Sequence, residues 1–233
     1  MTPPPITGPV VIAGDPHGNF PPILRACLEQ EPGTLILLGD CDLRVTLHHV
    51  LAPLFAQGWH VHWIIGNKDA ETEAAFDNLV TDHPEGDIGG RVIEAGGLRI
   101  AGLGGVFKPR IWHPRAETQG GRIEPPGFAT RAEFLASLRP HEHWRGGLPM
   151  WHRDSIFPED FAHLAQHRFD VLVCHEAPSS HRHGFAVIDR LADVAAARLI
   201  VHGHHHESYA AQLANGIEVR GLAVAEPFVL EMA

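Results

Sequence analysis

The chain has 233 residues, 44% of them hydrophobic and 20% charged, and a formal net charge of −10. That length buries a full core as one domain, or as one domain with an insertion. The acidic balance argues against nucleic-acid or membrane-surface partners, which need a basic face.

No apolar run approaches the ~20 residues of a membrane span. The first eight residues, Met1 to Gly8, have neither the basic nor the apolar region of a signal peptide. Cys27, Cys41 and Cys174 show no Cys-x-x-Cys spacing, which fits a reducing compartment, the cytoplasm, without a disulfide framework. Nineteen histidines are the outlier, and the question is which few do more than coat the surface.

In chain order, a short β-branched run, Val10 to Ile12, ends at Gly14 and delivers Asp15 and His17 into a Gly/Pro/Asn turn. Pro21 to Gln30 reads as a helix with proline at its start. Gly33 to Asp40 is a second apolar strand ending in Gly-Asp. A helical stretch from Asp42 to Gln57 follows, closed by Gly58. A third strand from His60 ends in Gly66-Asn67-Lys68-Asp69. Strand alternating with helix is the rhythm of a parallel sheet with crossover helices.

Arg91 to Ala95 and Leu98 to Ala101, joined by Gly96-Gly97, form a hairpin pattern. The segment from Phe107 to Arg153 differs: it is rich in Gly, Pro, Trp and His, with one helix around Thr130 to Leu138. It carries eight of the eighteen Lys and Arg residues against four acids, which reads as an inserted basic and aromatic lid, 107–153, within a single domain. After a helix near Pro158 to His167, strands from Asp170 and from Arg198 end in Cys174-His175 and in Gly203-His204-His205-His206. The tail, Tyr209 to Leu213, Ile217 to Leu222 and Phe228 to Met232, reads as an antiparallel meander turning at Asn215-Gly216.

Five strand ends thus present Asp15 and His17, Asp40, Asn67, His175, and His204 and His206. Oxygen and imidazole donors without sulfur suit divalent Mn, Fe, Zn, Ni or Co. A carboxylate can bridge two ions, so seven such residues suffice for a pair ~3.5–4 Å apart, the geometry of two-metal hydrolysis.

These blocks in this order, Asp-x-His, Gly-Asp, Gly-Asn-x-Asp, a lone His after a strand and Gly-His-x-His, resemble the calcineurin-like metallophosphoesterase superfamily, and the pattern spans Asp15 to His206. The resemblance implies an α/β fold, a four-layer α/β/β/α sandwich of two mixed sheets flanked by helices. It implies that Asp15, His17 and His206 hold one metal, that Asn67, His175 and His204 hold the other, and that Asp40 bridges. The implied activity is phosphoester hydrolysis by a metal-bridging hydroxide on a small phosphodiester or nucleotide-type substrate, with two divalent ions, Mn foremost.

Arg44 stands where the protein-phosphatase branch carries a phosphate-binding Arg, although the preceding carboxylate is displaced to Asp42. Lys108 and Arg110 of the insertion are further candidates for phosphate oxygens. Trp112, Trp144 and Trp151 are candidates for stacking a base.

One departure matters. The superfamily's usual Gly-Asn-His block supplies a general-acid histidine, and here Lys68 takes its place. A lysine can stabilise charge on the leaving oxygen, but it donates a proton near neutrality only with a depressed pKa. That favours diesters or good leaving groups over alkyl monoesters.

Plainer readings exist for each residue: an Asx-turn for Asp15, a helix cap for Asp40, a turn residue for Asn67, a core histidine for His175, and a His-rich surface tract for 203–206. His205 is expected to face away from the metals, His202 and Cys41 to pack, and His181 and His183 to be solvated. The alternatives to a diesterase are a catalytically silent metal- or phosphate-binding protein, or a phosphomonoesterase or protein phosphatase of the same superfamily.

Overall fold

A computed structural model of the chain describes residues 8–115 and 125–230. Among the described residues, ten strands make two sheets. In the first, β1 (Val10–Ala13), β2 (Thr34–Leu37) and β3 (His60–Trp63) run parallel, and β10 (Pro227–Leu230) closes the edge antiparallel to β1. The second has the order β4 (Val92–Ala95), β5 (Leu98–Leu103), β6 (Val171–Cys174), β7 (Leu199–His202), β9 (Glu218–Gly221), β8 (Tyr209–Gln212). Its centre, β5-β6-β7-β9, is parallel, and its two edges are antiparallel.

Buried aliphatics explain the layering. Val10, Ile12, Ile36 and Leu38 of one sheet meet Ile100, Val171, Val173 and Val201 of the other in a dry layer between them. The opposite face of the first sheet, through Val11, Leu35 and Leu37, packs on the helices Pro21–Leu28 and Ala52–Ala56. The opposite face of the second, through Leu172 and Ile200, packs on Pro158–Leu164 and Ala186–Ala195. Strands buried on both faces read as unbroken apolar runs, which is what Val10–Ala13 and Val171–Cys174 are. The result is two mixed sheets flanked by helices. Among the described residues no helix is long and apolar enough to cross a membrane.

Three sequence expectations change. The single helix expected over 42–57 is two short ones, Leu47–Val50 and Ala52–Ala56. Asp40 and Asp42 both take positive φ, so the chain cannot enter a helix until Thr46 caps it, and Pro53 opens the second helix. The tail is no meander: β8 and β9 form a hairpin, but β10 crosses to the other sheet, and Met232 lies outside the described residues. The helix Ala186–Ala195 is additional to the expected elements, although Val187, Ile188, Leu191, Ala192 and Ala195 make its buried stripe at helical spacing.

Candidate metal centre

All seven residues of the strand-end pattern stand just beyond the carboxyl ends of parallel strands: Asp15 and His17 after β1, Asp40 after β2, Asn67 after β3, His175 after β6, His204 and His206 after β7. Ligand sites of open α/β sheets form in such places. Hydrogen bonds from backbone amides join the loops. The amide of His17 donates to the Asp40 carbonyl at 3.0 Å and that of Gly18 to the Cys41 carbonyl at 3.0 Å, while the His204 amide donates to Asp15 Oδ2 at 2.6 Å.

The side chains converge around Asp40. Its carboxylate belongs to two groups whose ligand atoms lie within 4.8 Å of one another, one with His17 and His206, the other with His175 and His204. His17 Nε2 is 3.8 Å from Asp40 Oδ2, and His175 Nε2 is 3.5 Å from Asp40 Oδ1. Asn67 Oδ1 is 3.2 Å from His175 Nε2, and Asp15 Oδ2 is 3.7 Å from His206 Nε2.

Much of this centre is acceptor facing acceptor, which suits cations. His175 donates Nδ1–H to the Leu38 carbonyl at 2.7 Å, so its Nε2 lone pair is the one beside Asp40 and Asn67. The Nε2 atoms of His17 and His206 stand 3.0 Å apart. Asp15 Oδ1 and His204 Nδ1 are buried with no hydrogen-bond partner, a costly state unless something else binds there. The residues present therefore fit a pair of divalent ions.

The carboxylates and imidazoles also shift one another's protonation. Burial raises the Asp15 pKa, with the Asp40 charge adding to it, and burial lowers that of His204 to about 4, leaving a neutral imidazole. For His175 burial works downward, but the carboxylates of Asp40 and Asp15 outweigh it and the pKa stands above the ordinary value.

The backbone is bent to make this centre. His17 (φ 44°), Asp40 (φ 50°), His204 (φ 68°) and His206 (φ 56°) all occupy the left-handed region, which costs a non-glycine residue ~1–3 kcal/mol and gathers at functional sites. A Cβ at Gly66 would collide with the Asp40 amide and Oδ1 and with His175 Cε1, and one at Gly203 with Asp15 Oδ1. Glycine at both positions lets the loops close.

Asp69 does more than its place in the motif suggests. Fully buried, it accepts the amides of Asp40 at 2.9 Å, Cys41 at 2.8 Å and Gly66 at 2.8 Å, and so ties the β2 loop to the β3 loop. Glu176, also unforeseen, accepts the Phe107 amide at 3.1 Å, and burial pushes its pKa up to about 7. Asp69 could have been suspected from its fixed offset behind Asn67; Glu176 carries no such signal.

The remaining candidates lie differently. Arg44 is exposed on the loop after Asp40. Lys68 is exposed at its side chain too, its Nζ 2.7 Å from Glu71, and that hydrogen bond raises its pKa, the opposite of the depression a proton donor needs. The Lys68 amide donates to Asp40 Oδ1 at 2.7 Å.

Lys108 is nearly buried, with Nζ 2.6 Å from Asp154 and also bonded to the Trp151 carbonyl. The Arg110 guanidinium stacks on Phe134 at 4.9 Å. Trp112 packs edge-on against Phe107 and Phe161. Trp144 lies between Arg145 and Arg153, and Trp151 is 65% exposed under Lys108. Arg122 lies outside the described residues.

His181 is buried rather than solvated, stacked on His205 at 4.0 Å, and buried His202 reaches the Tyr209 hydroxyl at 2.7 Å. Cys41 is buried as expected, and burial pushes its thiol well up. A cleft of about 830 Å³ opens between the insertion and the β3 and β5 ends, lined by Trp63, Phe76, Leu103, Arg131 and Asp160 among others, and none of the seven residues lines it.

Comparison with known proteins agrees with this architecture. A curated relative from Haemophilus influenzae, an uncharacterized protein, is 38% identical over 201 residues, covering 86% of this chain and 84% of its own. Among solved structures, a phosphopantetheinyl hydrolase from Mycobacterium tuberculosis superposes with TM-score 0.52 at 18% identity, covering 93% of this chain and 90% of that one. A protein from Thermus thermophilus does so with TM-score 0.51 at 10% identity over 97% of this chain and all of its own. The family model for calcineurin-like phosphoesterases matches residues 8–208. With two mixed sheets and a ring of metal-compatible side chains at their shared end, the chain belongs to the calcineurin-like phosphoesterase family, whose members are metal-dependent phosphoesterases.

Proposed function

We propose that the protein hydrolyses small phosphodiesters at a dinuclear centre. Asp15, His17 and His206 would hold one ion and Asn67, His175 and His204 the other, with Asp40 shared between them. The observation that carries this reading is Asp40 itself, the one carboxylate common to the two ligand groups. Bound as a pair, the ions supply a nucleophilic water and neutralise charge at phosphorus; Mn is the first choice.

The chain does the rest. Asp69 fixes three amides around Asp40, and the Leu38 carbonyl orients His175. Arg44, exposed on the loop that follows Asp40, is the residue assigned to phosphate oxygens on this reading. Lys108 and Arg110 are left out of the substrate site on this reading, since Asp154 and Phe134 engage them. Lys68, held protonated by Glu71, offers charge to a leaving oxygen but no ready proton. Diesters with acidic leaving groups therefore outrank alkyl monoesters. Three buried free cysteines fit work in a reducing cytoplasm.

The test is direct. Purified protein loaded with Mn is assayed on bis(p-nitrophenyl) phosphate, p-nitrophenyl phosphate, an alkyl phosphate, cyclic nucleotides and a phosphopantetheinyl ester. Turnover of the aryl diester with little on the alkyl monoester supports the reading. Two tightly held ions with no turnover of any substrate would point instead to a silent binding protein.

A further inference from the structure

A second group of ligand-type side chains lies apart from the seven residues above. One nitrogen each of His48 and His83 and a carboxylate oxygen of Glu85 lie within 4.8 Å of one another. His48 is on the helix Leu47–Val50, while His83 and Glu85 flank Pro84 at the start of the 3-10 turn Pro84–Gly86.

The hydrogen bonds fix which nitrogen of each ring is free. His83 Nε2 is 2.9 Å from the Val61 carbonyl, which can only accept, so Nε2 carries the hydrogen. Its Nδ1 is then a lone pair. It is buried on a residue only 6% exposed, and it makes no hydrogen bond although Glu85 Oε1 is 3.1 Å away. With the ring neutral, acceptor faces acceptor there; with the ring protonated, Nδ1–H would donate to Glu85.

His48 repeats the arrangement. Its Nδ1 is 2.9 Å from Asp82 Oδ2, which also accepts the His48 amide at 2.9 Å. A carboxylate takes that hydrogen, so Nε2 keeps the lone pair. Each imidazole thus donates one N–H to a fixed oxygen and offers its other nitrogen, the arrangement that orients metal-ligating histidines. Packing holds the rings in place: His48 stacks on Phe55 at 4.5 Å and meets His83 edge-on at 5.0 Å.

We propose that His48, His83 and Glu85 form a third cation site, for Zn²⁺ or a similar borderline divalent ion. Two neutral imidazoles, one carboxylate and an open position for water make a familiar zinc donor set. The site would clamp the helix Leu47–Val50, after the Asp40 loop, to the turn Pro84–Gly86, which closes the helical segment 73–81. Asp82 is a positioning residue for His48.

The test is zinc stoichiometry on the full chain, stripped of metal, reloaded and desalted. It is run in the wild type and again in a His206→Ala background, which weakens the dinuclear centre. In both backgrounds, His48→Ala and Glu85→Gln each remove one tight equivalent of zinc, and Asp82→Asn weakens that equivalent by ~10–100-fold. Both ligand changes fall at exposed positions, so loss of fold does not confound them, and circular dichroism checks it. If neither substitution lowers the zinc content in either background, the site does not exist, and His83 with Glu85 is an imidazolium–carboxylate pair. The readout needs no turnover, so it stands whether or not the enzyme reading does.

Discussion

The strand-end centre and the 107–153 insertion both concentrate ionisable side chains, and they use them in opposite ways. At the strand ends, carboxylates and imidazoles crowd one another with few partners from the rest of the protein: Asp15 Oδ1 and His204 Nδ1 are buried without partners, and His17 and His206 meet each other through Nε2 atoms 3.0 Å apart. In the insertion, cations meet partners of the protein's own. Lys108 pairs with Asp154, Arg131 with Glu159 and Asp160, and Arg145 with Glu73 and Asp77, while Arg153 donates to the Leu148 and Trp144 carbonyls. A local excess of positive charge in a sequence says nothing about whether that charge is free. Here most of it bolts the insertion down around Ile111, Phe134, Leu148 and Phe157.

The largest effect should come from the centre. His175→Ala removes the side chain between Asp40 and Asn67 and leaves the rest of the ring standing. Activity should fall by about 10³-fold or more, roughly 4 kcal/mol of transition-state stabilisation, with one ion lost and a far larger loss in turnover than in stability. Steady-state kinetics with metal analysis checks this. Retained activity would erase the contrast drawn above.

The two regions also differ in how far the sequence exposed them. Strand-end residues are placed by backbone: once Val10–Ala13 or Val171–Cys174 is recognised as a buried strand, the next loop's position in an α/β sheet is set, and Asp15 or His175 follows. The insertion has no such frame. That Lys108 turns inward to Asp154, 46 residues along, or that Trp144 is held between Arg145 and Arg153, depends on pairings with no local signature. The same gap hid β10, whose transfer to the first sheet is a long-range choice, and the burial of His181 under His205.

Lys108→Met should show the reverse profile. Asp154, almost fully buried, would lose its only ion-pair partner among the described residues, and burial already raises its pKa. Breaking a buried pair from one side costs about 3 kcal/mol or more. Chemical denaturation should register that loss, while turnover per folded molecule stays put. A fall in turnover with stability intact would return Lys108 to the substrate.

Acid should loosen the insertion next. His152 is 5% exposed beside Ser155, and burial, with the charges of Lys108 and Arg110, lowers its pKa from 6.5 to about 4. Its folded pKa lies below the unfolded one, so the unfolded chain binds the extra proton. The contribution is intact above pH 6.5 and drains away as pH falls toward 4, a loss of about 3 kcal/mol in all. His152→Gln should flatten that part of the stability–pH curve; an unchanged slope would clear His152 of the effect.

The smallest effect belongs to the ion pair that joins the insertion to the first-sheet side. Arg145 Nη2 lies 2.9 Å from Asp77 and 3.2 Å from Glu73, with its guanidinium over Trp144 at 4.2 Å. All three charged groups are exposed, so solvent screens them and Arg145→Ala should lower the melting temperature only slightly, and less in high salt. The stacking on Trp144 adds a part that salt does not remove. A melting-temperature series in rising salt separates the two: the wild-type advantage should shrink to that stacking remainder. Were the advantage instead to stay constant with salt, the guanidinium would be acting through packing alone, and the insertion would be held by apolar contacts rather than by its paired charges.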